Sequence, residues 1–245
     1  MVNLADSMSG EGFVIKRMET FIVAWEKAGD RRAIFLSCYA MMTRNILSAI
    51  QAGDFEDNAW VYKLLQRFAE YYFTALEAYE RTQRASLVWQ LAFDAARLPH
   101  IHVLQNLVLG VNAHINFDLV YTLEDVLVSE WSQLTQEQRS SRYRDHCHVN
   151  EVIYQTIDSV QDQVIERYEP IMDQVDRLMG SLDEWITSRF ITDWREEVWE
   201  NVTRLLQSSD ESEREFLLQE VEQRSVRRAY SLLGEDGFLG IINLI

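Results

Sequence analysis

The stretch LPHIHVLQNLVLGVNAHINFDLVYTL, residues 98–123, is apolar on nearly every side of a helical projection, with Val103, Leu104, Leu107, Val108, Leu109, Val111, Ala113, Ile115, Phe117, Leu119 and Val120 spread around it. A helix with no polar face is stable only when other elements cover it on all sides. The expectation is an all-α protein, a single globular bundle of about eight helices around a buried central helix at 102–126. Four polar side chains interrupt the apolar run: Asn112, His114, Asn116 and Asp118. Burying each costs about 1–3 kcal/mol unless it finds a partner, so each should have one.

His114 and Asp118 stand four residues apart, one above the other on a helical face. Three readings fit that arrangement. In a structural network, Asp118 accepts from His114 while the asparagines tie neighbouring helices together. In a metal centre, imidazole and carboxylate share an ion in the bundle core; Asp57 is then the third candidate ligand, and a divalent metal is the one candidate cofactor. In acid–base catalysis without metal, Asp118 orients His114 or fixes its tautomer. The spacing serves all three. His100 and His102 flank Ile101 just after Pro99, and His146 and His148 lie in RDHCHVN. Residues two apart diverge by about 200° on a helix, so the second pair should split and the central helix alone should supply imidazole.

At GVNAHINFDL, residues 110–119, the chain resembles an uncharacterised all-helical family, a domain of unknown function marked by a Gly-x-Asn-Ala-His-Ile-x-x-Asp-Leu helix. The resemblance extends over DFEDNAWVYKLLQRFAEYYFTALEAY at 54–79, RDHCHVN at 144–150 and RRAYSLLG at 227–234. It implies a polar centre of Asp57, Asn112, His114, Asn116, Asp118, Asp145 and Asn150, and carries no settled activity. A looser likeness, in ligand geometry alone, is to the helical zinc-dependent phospholipase and nuclease fold, which also uses a His-x-x-x-Asp helix.

Outside the central stretch, apolar residues recur every three or four positions and strict alternation is absent. Only 9 Gly and 2 Pro in 245 residues leave too few turn formers for a sandwich, barrel or doubly wound sheet. Helices are expected at 13–28, 31–52 closed by Gly53, 57–81 with Asp57 as N-cap, and 86–98 capped by Ser86. A further long helix opens with the box Thr135–Gln138 and runs through Arg167, followed by a break at Pro170, a run to Gly180, and helices at 182–206 and 212–233. No repeat or linker divides the chain, so 1–245 is read as one domain with its weakest seam near 127–135.

The formal charge is −16, which argues against nucleic acid and an anionic membrane surface as partners. The first twenty residues have no secretory pattern and no uninterrupted apolar run approaches 18 residues, so the expected setting is the cytoplasm. Cys38 and Cys147 should be reduced thiols. No nucleotide-binding, HExxH or haem-attachment motif is present.

Seven Trp, 10 Tyr and 11 Phe concentrate on inner helix faces, among them Trp60, Phe68, Tyr71, Tyr72, Trp89 and Phe93. If they line a cavity beside the polar pair, they suit an apolar, ring-bearing or polyene substrate. The function expected is a small-molecule enzyme, metal-assisted or by general acid–base catalysis. His114 and Asp118 are the candidate catalytic residues, and Asn112, Asn116, Tyr72 and Trp60 the candidate substrate-binding ones. DDxxD and NSE/DTE are absent, which disfavours diphosphate ionisation and leaves proton-initiated rearrangement or a pericyclic reaction. The alternative is a non-catalytic binding or scaffold protein whose polar core specifies packing. Near the C-terminus, Leu217, Val221, Ser225 and Leu232 trace an inner face that brings Arg227 or Arg228 partly inward, to Asp118, Asp57 or Asp145; the alternative is that both lie on the surface and pair with glutamates such as Glu222 or Glu235.

Overall fold

A helix at the centre of a bundle must be met by the apolar face of every neighbour, and the neighbours here carry such faces. The computed structural model describes residues 4–82, 84–160, 163–164, 166–168, 190–208 and 210–234. Its elements are α1 (Leu4–Ala28), α2 (Arg32–Ala52), α3 (Asn58–Thr82), α4 (Leu87–Ala95), α5 (Val103–Val111), a π-helical segment (Asn112–Asp118), α6 (Leu119–Leu127), α7 (Gln136–Val160), the single turn α8 (Glu166–Tyr168), α9 (Phe190–Gln207) and α10 (Glu211–Leu233). No strand occurs among the described residues.

The segment α5–π–α6 is one continuous rod, and α2, α3, α4, α9 and α10 all pack against it. Every residue from Val103 to Gly110 is buried, as the all-round apolar pattern requires. Outside this layer, α1 lies on α2, and α7 packs on α2 and α9. By length and composition α2 is apolar enough to cross a membrane, although Ser37, Thr43, Arg44 and Asn45 interrupt its apolar run. Its apolar side chains face α1, α5 and α7.

Several ends obey their local signals. Asp57 Oδ1 accepts the Trp60 N–H at 3.0 Å. Thr135 Oγ1 accepts from Gln138 N–H, and Gln138 Oε1 accepts from Thr135 N–H. Gly53 closes α2 with φ 82°, a conformation that favours glycine. Ser86 departs from expectation: it makes no side-chain cap bond, and its Oγ is buried without a partner. His102 is the N-cap of α5, its Nδ1 accepting the Leu104 N–H at 3.2 Å. The helix expected through Arg167 is assigned as α7 to Val160 and as α8. The break at Pro170, the run to Gly180 and the start at Leu182 lie outside the described residues.

At Gly110 the Phe35 side chain of α2 packs directly against the rod. A Cβ there would lie 2.4 Å from Phe35 Cγ and 2.8 Å from Phe35 Cβ. The second contact lies at the root of the side chain, so no rotamer change of Phe35 relieves it. Gly110→Ala is therefore expected to destabilise the protein by roughly 1–3 kcal/mol through overpacking, read as a lower denaturation midpoint. Gly12→Ala, where no atom lies within 4 Å, serves as the control and should not lower it.

Candidate active site

The polar residues of the central rod sit on a backbone that is not α-helical. Asn112–Asp118 is a π-helix, and the Leu119 N–H reaches back five residues to the His114 carbonyl. Such segments are rare and occur frequently at functional sites. Within it His114 Nδ1 lies 3.0 Å from Asp118 Oδ2, the two side chains 4% and 2% exposed. Trp89, from α4, donates its indole N–H to both Asp118 oxygens at 3.1 and 3.0 Å. Among the described residues no lysine or arginine pairs with this carboxyl group. Burial pushes Asp118 well above the ordinary carboxylate range, against the lowering pull of the Trp89 hydrogen bond. Burial also pushes His114 well below the ordinary imidazole range. A pair that carries no net charge is the consequence.

Five aromatic side chains enclose the His114 ring. Phe68 stacks on it at 3.5 Å between centroids and 7° between planes. Tyr39 meets it edge-on at 4.3 Å, and Phe35, Tyr72 and Trp89 complete the enclosure. His114 Nε2, on the ring edge away from Asp118, is buried and has no hydrogen-bond partner. His114 lines a cavity of about 120 Å³ between α2, α3, the rod, α7 and α9. Its wall is almost wholly apolar and includes Met42, Leu64, Phe68, Val108, Val111, Phe190 and Ile191. Tyr39 is in the same wall; its hydroxyl is also buried without a partner, and burial with the nearby Asp118 keeps it protonated. Cys38 is a free thiol in this wall, pushed up to about 12 by burial and so unreactive.

The remaining expected site residues lie elsewhere. Asn112 Nδ2 donates to the Ser225 carbonyl at 2.9 Å, Asn116 Nδ2 donates to Asn112 Oδ1 at 3.0 Å, and Ser225 Oγ donates to the Asn116 carbonyl at 3.1 Å. Those groups fasten α10 to the rod, and neither asparagine lines the cavity. Tyr72 belongs to the enclosure of His114 but not to the cavity wall, and Trp60 lies beneath the Arg142 guanidinium. Asp57 caps α3 and pairs with Arg142 at 2.6 Å, so its carboxylate is already used and does not join the pair as a ligand. Among the described residues no group of three His, Cys, Asp or Glu side chains is placed to share an ion. Asp145 accepts the backbone N–H groups of Glu56 and Asp57, holding the turn before α3 against α7. His100 is exposed, and His148 pairs with Glu151.

Arg228 does turn inward, but to Glu197 of α9 and over the Trp194 ring rather than to an aspartate. Arg227 is exposed. The arginine that reaches the site is Arg195, 3% exposed and in the cavity wall. It donates from Nε to Asn150 Oδ1 at 2.6 Å and from Nη2 to the His146 carbonyl at 2.8 Å, with His146 Nδ1 at 3.3 Å. The sequence offered a faint signal for it: WREEVW puts Arg195 between Trp194 and Val198, within an apolar face otherwise traced by Trp194, Val198 and Val202. Trp89 and Tyr39 carried no signal beyond apolar periodicity.

A family model described as a family of unknown function (DUF5995) matches residues 12–235. No curated protein and no solved structure matches the chain.

His146, 1% exposed, is locked in its neutral form. Its Nε2 donates to the Arg195 carbonyl at 3.0 Å, and its Nδ1 faces a guanidinium donor, so a second ring proton has no place. Burial first, and the Arg195 charge second, push it well below the imidazole range. The unfolded chain takes up that proton below about pH 6.5, so stability falls with acidification through this window. The His114–Asp118 pair contributes little there, because its one shared proton offsets the one the unfolded His114 binds. Denaturation measured between pH 6.5 and 5 is expected to show a loss approaching about 1.4 kcal/mol per pH unit. His146→Asn, less stable at pH 7, should lack that slope.

Proposed function

We propose that this chain, which belongs to the family of unknown function DUF5995, is an enzyme that transfers a proton to and from a small apolar molecule through His114. The reading is carried by one observation: His114 Nε2 is a buried polar atom with no partner in the wall of an apolar cavity. Buried polar atoms in native proteins are nearly always paired, and an unpaired one calls for a reason. A substrate supplies it.

The resting pair holds one proton between Asp118 Oδ2 and His114 Nδ1, with a second proton on Nε2, the ring nitrogen that has no partner. When Nε2 gives its proton to the substrate, the shared proton settles on Nδ1 and the negative charge stays on Asp118. The Trp89 indole N–H, bonded to both carboxyl oxygens, stabilises that charge. Return of a proton from another substrate position restores the pair, giving a redox-neutral isomerisation or cyclisation. The protonated Tyr39 hydroxyl in the same wall is a hydrogen-bond donor for a substrate oxygen. Phe68, stacked on the imidazole, fixes its plane and keeps water off its face. The substrate is small: a cavity of about 120 Å³ is near the roughly 150 Å³ that accepts a benzene ring.

A second reading, a non-catalytic binding protein, is favoured by the Asn112–Asn116–Ser225 tie, which fastens α10 to the rod as a structural network would.

The two readings separate in deuterium oxide. A panel of single-ring and short branched alkenes and enones is incubated with the protein, and deuterium incorporation at carbon is followed by NMR. Incorporation by the wild type, reduced about 10²–10⁴-fold in His114→Gln and Asp118→Asn, is the expected outcome. Trp89→Phe should keep activity but shift its pH profile, because the carboxylate loses its donor. Binding of panel members in the cavity without any incorporation would establish the second reading.

A further inference from the structure

Arg195 is 3% exposed and forms part of the wall of the same cavity as His114. Arg32, Arg142, Arg214 and Arg228, also drawn inward, each meet a carboxylate: Asp30 and Glu80, Asp57 and Glu130, Glu124, and Glu197 respectively. Arg195 meets none among the described residues. Its hydrogen-bond partners among the described residues, Asn150 Oδ1, the His146 carbonyl and His146 Nδ1, are all neutral and are reached from Nε and Nη2. Burial brings the guanidinium down only to about 10, so it is cationic at neutral pH. A buried charge with no counter-charge is among the most costly arrangements in a folded protein. In a chain of net charge −16, carboxylates are abundant, yet among the described residues none pairs with this guanidinium.

We propose that Arg195 binds the carboxylate of the molecule that occupies the cavity, so that the ligand is a small carboxylic acid with an apolar body of about one ring or a short branched chain. The neutral Asn150 and His146 hold two edges of the planar fork and leave Nη1 for the ligand. One guanidinium balances one negative charge, which suits a carboxylate; a phosphate monoester carries about −1.5 to −2, and among the described residues no second cation lines the cavity. The apolar walls between Arg195 and His114 take the hydrocarbon body. As a statement about the substrate this rests on the proton-transfer reading; as a statement about binding it does not.

Phenylacetate and phenylacetamide have nearly the same shape and differ in charge. Calorimetric titration of the wild type at pH 7 is expected to show phenylacetate binding at least about tenfold more tightly. In Arg195→Gln the preference should fall to about one, with phenylacetamide binding unchanged, and Arg195→Lys should retain part of it. Equal affinities in the wild type, no binding of phenylacetate, or an undiminished preference in Arg195→Gln overturns the proposal. Because Arg195 also ties α9 to α7, a second measurement uses the wild type alone: carboxyl-labelled phenylacetate is titrated in the bound state by carbon NMR. A bound pKa below that of the free acid is expected from the guanidinium. A bound pKa at or above it, as apolar walls alone would produce, overturns the assignment. A carboxylate preference without deuterium incorporation removes the proton-transfer reading and keeps Arg195 as the anion site; incorporation into neutral compounds without that preference does the reverse.

Discussion

Asp118 places a carboxyl group 2% exposed in the middle of a helical bundle, and among the described residues no lysine or arginine neutralises it. It is held by the indole N–H of Trp89 and the imidazole of His114. Much of the inner architecture follows from meeting that need. α4 must bring Trp89 to the rod, and the π-helical turn must aim His114 and Asp118 at one another. α2 and α3 must supply the rings that enclose the imidazole. Gly110 lets Phe35 come close enough to be one of them.

The rod carries two polar systems with different outcomes. Toward α10, Asn112 and Asn116 pass hydrogen bonds to one another and to Ser225, so that side specifies packing. Toward α2 and α3, His114 keeps one ring nitrogen unpaired at a cavity. The physical distinction between the two systems lies in that difference of satisfaction. Both begin from the same motif, a polar residue at every second position of an otherwise apolar run.

Arg195 and His146 form a third system, at the junction of α7 and α9. Each fixes the other's state: the guanidinium forbids a second proton on the imidazole, and the imidazole and its carbonyl hold the guanidinium fork. That arrangement gives the cavity wall a cation at one position and the uncharged His114–Asp118 pair at another. The same wall is otherwise hydrocarbon, so both groups act in a medium that screens charge weakly.

What the amino-acid sequence determined by itself is what short-range periodicity encodes. The scarcity of Gly and Pro, the three-and-four spacing of apolar residues and the all-round apolar stretch at 102–126 specify an all-α bundle with that stretch inside. The i,i+4 relation places His114 beside Asp118 whether the local turn is α or π. The inner face of α10 was legible as Leu217, Val221, Ser225 and Leu232, all of them buried. Only the tertiary structure decided which polar groups meet across helices. Trp89 reaches Asp118 over a separation of 29 residues and Arg195 reaches His146 over 49, and no periodicity links residues so far apart. Asp57, Asp145 and Arg228 were drawn toward the centre by their chemistry alone. In the folded chain Asp57 caps α3 and meets Arg142, Asp145 accepts the backbone N–H groups of the turn before α3, and Arg228 meets Glu197 of α9, because a polar group is satisfied by whichever partner the packed helices bring to it.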